Sequence, residues 1–312
     1  MSEVQLVCTD FNAALELLRA AGLRLDVIYP ADEPHTALLT QDGKAVRLTS
    51  RPDVPRPPAA LPPFAPEFVL TRAGGQSGEG RAGMHYRDLL PSRLGGRYVA
   101  SHIVIADGGP VSDWVHFHRI ALQLIYVRKG WVKLVYEDQG EPFVMHAGDM
   151  VLQPPKIRHR VLESSPGLEV IELGCPALHE TFADHAMVLP TGSVRPERDF
   201  GGQRFLRHVA KETAWTDFLG VEAQETSLRE ASNGIAEART IRMARSGNLA
   251  FPSHGGELVF GMVIEGSACL EYAGETPLGP TDAFAIPPGN SWKLSKPSPD
   301  FRLLHVTTGK IG

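Results

Sequence analysis

An internal repeat narrows the fold of this chain more than any other feature. Gly96, in HYRDLLPSRLGGRYVASHIVI, aligns with Gly234, in AQETSLREASNGIAEARTIRM, at an offset of 138 residues. Gly130 in YVRKGWVKLVY aligns with Gly266 in MVIEGSACLEY at 136, and Asp149 in GDMVLQPP with Asp282 in TDAFAIPP at 133. The offset shrinks along the chain, as it does when a second copy has lost a few loop residues. Both copies are built of short apolar or alternating runs punctuated by Gly and Pro, of which the chain holds 31 and 25. That pattern belongs to many short strands and turns rather than long helices. Two homologous all-β modules are therefore expected, over residues 84–175 and 220–312, with a polar connector over 176–219 that carries a short helix around His179 to Ala186.

The first fifty residues read differently. Val4 to Val7 is an apolar run fit for a strand. Asp10 is placed to cap a helix in which Phe11, Ala14, Leu15, Leu17 and Leu18 recur at helical spacing, and Gly22 stops it. Arg24 to Tyr29 alternates as a strand. Thr36 to Thr40 and Lys44 to Leu48 form a hairpin closed by Asp42-Gly43, a strong two-residue turn signal. The order is βαβββ over residues 1–50, and such a module leaves an open sheet edge that must be covered. Residues 51–66 contain seven prolines and read as a stiff spacer, the start of a linker over 51–83. Within it Gly78, Gly80 and Gly83 form a GxGxxG. A dinucleotide fingerprint needs a strand before that sequence and a helix after it; no helical period follows, so it is read as a loop.

Chemistry concentrates in DWVHFHRIALQLIYVRKGWVKLVY and HAGDMVLQPPKIRHRVLE. His116 and His118 stand two apart in a strand-like segment, so both imidazoles point to one face. Gln123 follows on the next strand, where its amide oxygen is a candidate third donor. His159 follows the Gly148-Asp149 and Pro154-Pro155 turns and can return beside them. A lone buried histidine is usually a core residue, and His35, His85, His146, His179, His185, His208 and His305 are read as core or solvated. His116, His118 and His159 together are read as metal ligands. Gln123 either ligates directly or holds a metal-bound water. His102 shares a strand face with Tyr98, Ala100 and Val104; if that face is inward, His102 is a candidate catalytic base. Arg97 or Arg160 could fix an anionic substrate, although solvated surface is the plainer reading. Tyr126 and Trp131 are read as core.

These two segments resemble the cupin family. Its first motif runs from a glycine through HxH and a Glu to a second glycine, and is matched by Gly109, His116, His118, position 123 and Gly130. Its second motif, glycine, proline turn, histidine, is matched by Gly148, Pro154 or Pro155, and His159. The resemblance is strong over residues 84–175 and weaker over 220–309. It implies two cupin (double-stranded β-helix, or jelly-roll) barrels in a mainly β chain, and a commonly dimeric protein. The departure is Gln123 where the family usually has Glu. Three neutral imidazoles and an amide leave a divalent cation its full charge, which favours an anionic substrate. One divalent ion per chain is expected, iron(II) first, with manganese, nickel, cobalt or zinc as alternatives. In the second copy, an alignment on Gly266 puts Pro252 in the place of His116 and His254 in that of His118, while Trp292 replaces His159 and Glu257 is out of register. This barrel is expected to be degenerate. Residues 1–50 resemble half of a vicinal-oxygen-chelate (glyoxalase-like) domain, which also uses βαβββ modules; without ligands on Val4 to Val7 the module is read as structural.

An active first cupin followed by a degenerate one resembles the gentisate-type ring-cleaving dioxygenases. It implies an iron(II)-type dioxygenase acting on a small enolic, phenolic or carboxylate anion. A non-oxidative isomerase, cyclase or lyase, and a non-enzymatic binding protein, are the alternatives. A net charge of −5 gives no electrostatic footprint for nucleic acid or an anionic membrane. Three scattered cysteines, no signal-like N-terminus and no long apolar run point to a reduced, cytoplasmic protein.

Overall fold

The computed structural model describes residues 3–54, 56–80, 83–243 and 247–311. The chain begins with strand Glu3–Val7, helix Phe11–Ala20 and strands Arg24–Tyr29, Thr36–Gln41 and Lys44–Thr49. The predicted βαβββ order is what forms. The Asp10 side chain accepts a hydrogen bond from the Ala13 amide at 3.0 Å, which satisfies one of the helix's free N–H groups. Asp42 and Gly43 both have positive φ, 49° and 76°, the geometry that suits a two-residue hairpin to twisted strands. Phe11 on the helix packs with Leu25, Ile28, Leu39 and Leu48 on one face of the sheet.

The open edge of this module is closed by the first barrel. Arg24–Tyr29 pairs with Thr181–Ala183, which pairs in turn with His116–His118. The segment expected to hold a short helix near His179 is therefore a strand. Its β-branched and aromatic residues, Thr181 and Phe182, lie between two strands whose backbone groups need partners, and tertiary pairing decides the outcome. One sheet thus runs from Glu3–Val7, through Lys44–Thr49, Thr36–Gln41, Arg24–Tyr29, Thr181–Ala183 and His116–His118, to His159–Ser164, Trp131–Tyr136 and Phe143–His146.

A second sheet faces the barrel part of the first, in the order Leu206–His208, Met150–Leu152, Leu122–Lys129, Leu168–Cys175, Val99–Ile105, His85–Asp88 and Gly78–Glu79. Between them lie Met84, Ile103, Val132, Leu134, Leu168 and Val170. The second barrel repeats the plan. One sheet contains Ala236–Arg242, Arg302–Thr308, Val259–Glu265 and Ala283–Ile286; the other contains Leu249–Phe251, Trp292–Ser295, Ala268–Glu271 and Glu275–Leu278. The fold is mainly β, with two cupin barrels after a small α+β module.

The stretch 51–83 is more than a spacer. Val69–Thr71 adds a strand to the second barrel beside Ala283–Ile286. Gly78–Glu79 forms a hairpin with His85–Asp88, so the GxGxxG lies in an antiparallel turn and not before a helix; Arg81 and Ala82 within it lie outside the described residues. The barrels meet back to back. Leu122, Leu124, Tyr126 and Leu173 of the first share a core with Phe260, Met262, Leu304 and Val306 of the second. Each such side chain, when fully buried, contributes about 1.5–3 kcal/mol. Strand alternation then fixes the other face: with Leu124 and Tyr126 turned to the second barrel, Gln123 and Ile125 point into the first. No helix among the described residues is long and apolar enough to cross a membrane.

Candidate metal centre

The HxH sequence is the strand His116–His118, and antiparallel pairing sets His116 directly opposite His159. Alternation turns His116 and His118 inward and Phe117 outward. The three histidines are 1%, 5% and 5% exposed. One nitrogen from each comes within 4.8 Å of the others, close enough to hold a single ion. The imidazole Nδ1 of His116 lies 2.8 Å from the Trp114 carbonyl and that of His159 lies 3.1 Å from the Ile157 carbonyl. A carbonyl can only accept, so each Nδ1 carries a proton, and Nε2 is the nitrogen left to face an ion. His118 Nδ1 is held by the buried Thr181 hydroxyl at 3.0 Å. Asp113 Oδ1 stands 3.5 Å from His116 Nδ1, and its other oxygen accepts the Val161 amide at 2.8 Å. This donor set, with its supporting partners, suits a divalent transition metal.

Gln123 sits beside this group, 2% exposed. Its Nε2 donates to Glu172 Oε1 at 2.6 Å, and its Oε1 accepts from Gln153 Nε2 at 3.3 Å. A carboxylate offers acceptors, so the amide nitrogen turns to Glu172 and the oxygen turns away from it. Gln153 Nε2 also lies 3.0 Å from His159 Nε2, and Gln153 Oε1 accepts from the Tyr136 hydroxyl at 3.0 Å. Burial pushes the Tyr136 hydroxyl far above its usual pKa, so it remains a proton donor.

The three histidines, Gln123, Gln153, Glu172 and Tyr136 line one cavity of about 80 Å³. The rest of its wall is apolar: Ile103, Ile125, Leu134, Val161 and Val170 among others. Ala31 from the N-terminal module and Tyr86 stand in the same wall. A Cβ on Gly80 would lie 2.5 Å from the Tyr86 ring and 2.8 Å from the Ala31 carbonyl, so only glycine fits there. A few polar groups in a largely apolar cleft suit a small molecule with an apolar body.

The other candidates lie elsewhere. His102 faces the second barrel, because its strand turns Ile103 and Ile105, not His102, into the cavity. His102 Nε2 is 2.9 Å from Glu169 Oε2, and its Nδ1 is 3.3 Å from the Arg87 guanidinium. His102, Arg128 and their hydrogen bonds hold the Glu169 carboxyl down to about 2. The inward face that would make His102 a catalytic base is thus the one it does not occupy. Arg97 makes two bonds to Glu257, at 3.0 and 2.9 Å, across the barrel interface, and Arg160 is exposed. Tyr126 is buried between the barrels. Glu172, Gln153, Tyr136 and Thr181 were not singled out by sequence. The period-two pattern of ELGC and LQPP, read with the inward-facing Gln123, was the signal available for the first two.

Residues 102–171 match the family model of the Cupin domain. The first barrel is a cupin domain. No curated protein matches the chain in sequence. Among solved structures, this chain resembles salicylate 1,2-dioxygenase from Pseudaminobacter salicylatoxidans, with a TM-score of 0.57 at 14% identity over 80% of this chain and 86% of that one. It resembles a putative glyoxylate-induced protein from Pseudomonas aeruginosa, with a TM-score of 0.57 at 12% identity over 82% and 94%. It also resembles a mutant of Bacillus subtilis oxalate decarboxylase, with a TM-score of 0.54 at 9% identity over 84% and 80%. At these identities the likeness is one of fold.

Proposed function

We propose that this cupin chain is an iron(II)-type dioxygenase that holds one divalent ion in its first barrel and acts on a small enolic, phenolic or carboxylate anion. The observation that carries the reading is the meeting of one nitrogen from each of three buried histidines within 4.8 Å, at a largely apolar cavity, with a neutral amide in place of a fourth, charged ligand. His116, His118 and His159 would hold the ion, and the oxygen of Gln123 would join them or hold a water there. Bound iron supplies Lewis acidity and redox chemistry. The chain's own groups do the rest. The backbone carbonyls of Trp114 and Ile157 fix two imidazole tautomers, Thr181 steadies the third, and Glu172 keeps the Gln123 oxygen turned away from itself. The aliphatic walls exclude water and seat an apolar or aromatic body. A mutant of the similar salicylate 1,2-dioxygenase was solved with gentisate, which places such anions first in the assay panel.

Anaerobic iron loading, followed by oxygen uptake with dihydroxybenzoates and β-diketones, tests the reading; no uptake across that panel sinks it. The Glu172 carboxylate in the cavity favours a second reading, a non-oxidative isomerase, cyclase or lyase in which that group accepts a proton. Turnover with zinc and without oxygen would select it. A cytoplasmic homodimer belongs to the same proposal, and light scattering on eluted protein checks the dimer.

A further inference from the structure

The reverse face of the same sheet carries a cleft. Strand register aligns one row of side chains across it. Phe117 stands opposite Phe182, Phe182 opposite Val27, Val27 opposite Leu38, and Leu38 opposite Arg47. Directly opposed residues share a face, so this row lies on the side away from His116 and His118. Phe117 and Phe182 stack with centroids 5.0 Å apart. Arg119 lies over the Phe182 ring at 5.0 Å. Val27, Leu38 and Phe182 of this row floor a cleft of about 160 Å³, into which Arg47, Arg56 and Arg119 all reach.

The charges in the cleft do not balance. Arg56 pairs with Glu3, and Arg119 pairs with Glu180 at 3.2 Å. Arg47 donates to the Tyr29 hydroxyl at 2.8 Å, and no carboxylate reaches it among the described residues. Tyr29 is buried, and Arg47 is half-buried above it. A half-buried guanidinium whose partner is a neutral phenol has lost hydration without gaining a counter-charge. Its planar fork matches a carboxylate, and Val27, Leu38 and Phe182 offer an apolar bed beside it.

We propose that this cleft binds a small organic monocarboxylate, with its carboxylate on Arg47 and its aromatic or aliphatic body on Val27, Leu38 and Phe182. The site uses none of the metal-binding histidines and stands independently of the reading above. Calorimetry on the metal-free full chain tests it with benzoate, phenylacetate and hexanoate as probes and benzyl alcohol as the neutral control. At least one carboxylate should bind saturably, and benzyl alcohol should not. Arg47→Gln should weaken that binding by roughly tenfold or more, because a charge-assisted fork is lost. Arg47→Lys, with an unchanged melting temperature, should retain part of it. A His116→Ala/His118→Ala variant should bind the probe as the parent does. The proposal falls if no probe binds up to millimolar concentration, or if Arg47→Gln binds as tightly as the parent. It falls too if binding disappears with the two histidines. If Arg47→Glu splits a dimer while no probe binds the parent, the face belongs to a second copy and the proposal is overturned.

Discussion

The two barrels share a scaffold and differ in what fills it. Strand register makes the comparison residue by residue. His116 pairs with His159 on neighbouring strands of the first barrel as Phe251 pairs with Trp292 in the second. Gln123, Gln153 and Glu172 of the first correspond to Val259, Ile286 and His305 of the second, through matching pairings with Leu152 and Ala285 and with Leu173 and Val306. In the second barrel Phe251 and Trp292 stack 3.8 Å apart at an interplanar angle of 4°, and Phe284 meets Trp292 edge-on at 5.3 Å. Gly261 makes room for that packing: a Cβ there would lie 2.3 Å from the Phe284 ring. The same strands thus support a polar cavity or a solid aromatic core. Beside His118, these five inward positions differ between the barrels: the first keeps desolvated polar groups at all five, and the second gains apolar packing at four of them.

The largest effect that could break this comparison is at the ligands. His116→Ala/His118→Ala should take metal content from about one ion per chain to none, a loss beyond the ~100-fold that removal of a supporting partner costs. His254→Ala in the second barrel should leave metal content unchanged. Plasma mass spectrometry of protein purified without chelator reads both, and metal retained by the double variant would end the three-histidine assignment. Next comes the aromatic core. Trp292→Ala should destabilise the chain by about 3–5 kcal/mol in denaturant unfolding, the usual result for a large buried aromatic. The folded fraction should still bind one ion. A loss under 1 kcal/mol would mean that the second barrel is not the packed support it looks to be.

The parts of this contrast that sequence reveals are those with a short period. His116 and His118 two apart, the turns before His159, and the Asp42-Gly43 hairpin are local, and each lies where its pattern puts it. Register across long connections is not local. Alignment on Gly266 set Pro252 in the place of His116, but strand pairing puts Phe251 there, one residue earlier, because the loop before Gly266 differs in length between the copies. The same limit hid Glu172, which reaches Gln123 from a neighbouring strand 49 residues away. It also hid the inward or outward choice at His102, which depends on where the second barrel docks. The Thr181–Ala183 strand is set by the two edges it joins, and its own residues decide little.

Support of the ligands gives a smaller effect than the ligands themselves. Thr181→Val keeps the shape and removes the hydroxyl 3.0 Å from His118 Nδ1. It should weaken metal binding about tenfold, near 1.4 kcal/mol, while leaving the stoichiometry at one. Competition with a chromogenic chelator measures it, and an unchanged affinity would remove Thr181 from the site.

The smallest effect isolates the one polar residue that the second barrel keeps among these five positions. His305 packs on Phe251 at 5.0 Å, and Arg239 Nη1 donates to its Nδ1 at 3.2 Å. A guanidinium cannot accept, so His305 is neutral there. Burial first, then the charges of Arg239 and of His254, lowers its pKa to about 3. A histidine whose folded pKa is lowered binds its proton more readily when unfolded. Stability is then full above the unfolded value, near 6.5, and is lost as pH falls towards the folded one. Between pH 7.5 and pH 6 this residue should cost the fold on the order of 1 kcal/mol. His35, His208 and His254 are lowered by burial too and slope the same way, so the informative quantity is the difference between parent and His305→Phe. Arg239 retains Glu225 at 2.7 Å and Glu237 at 3.0 Å in that variant, so its charge stays paired. Urea unfolding at both pH values should show a shallower loss in His305→Phe than in the parent. Equal losses would mean that His305 is already solvated or charged, and that the second barrel is less closed than the first.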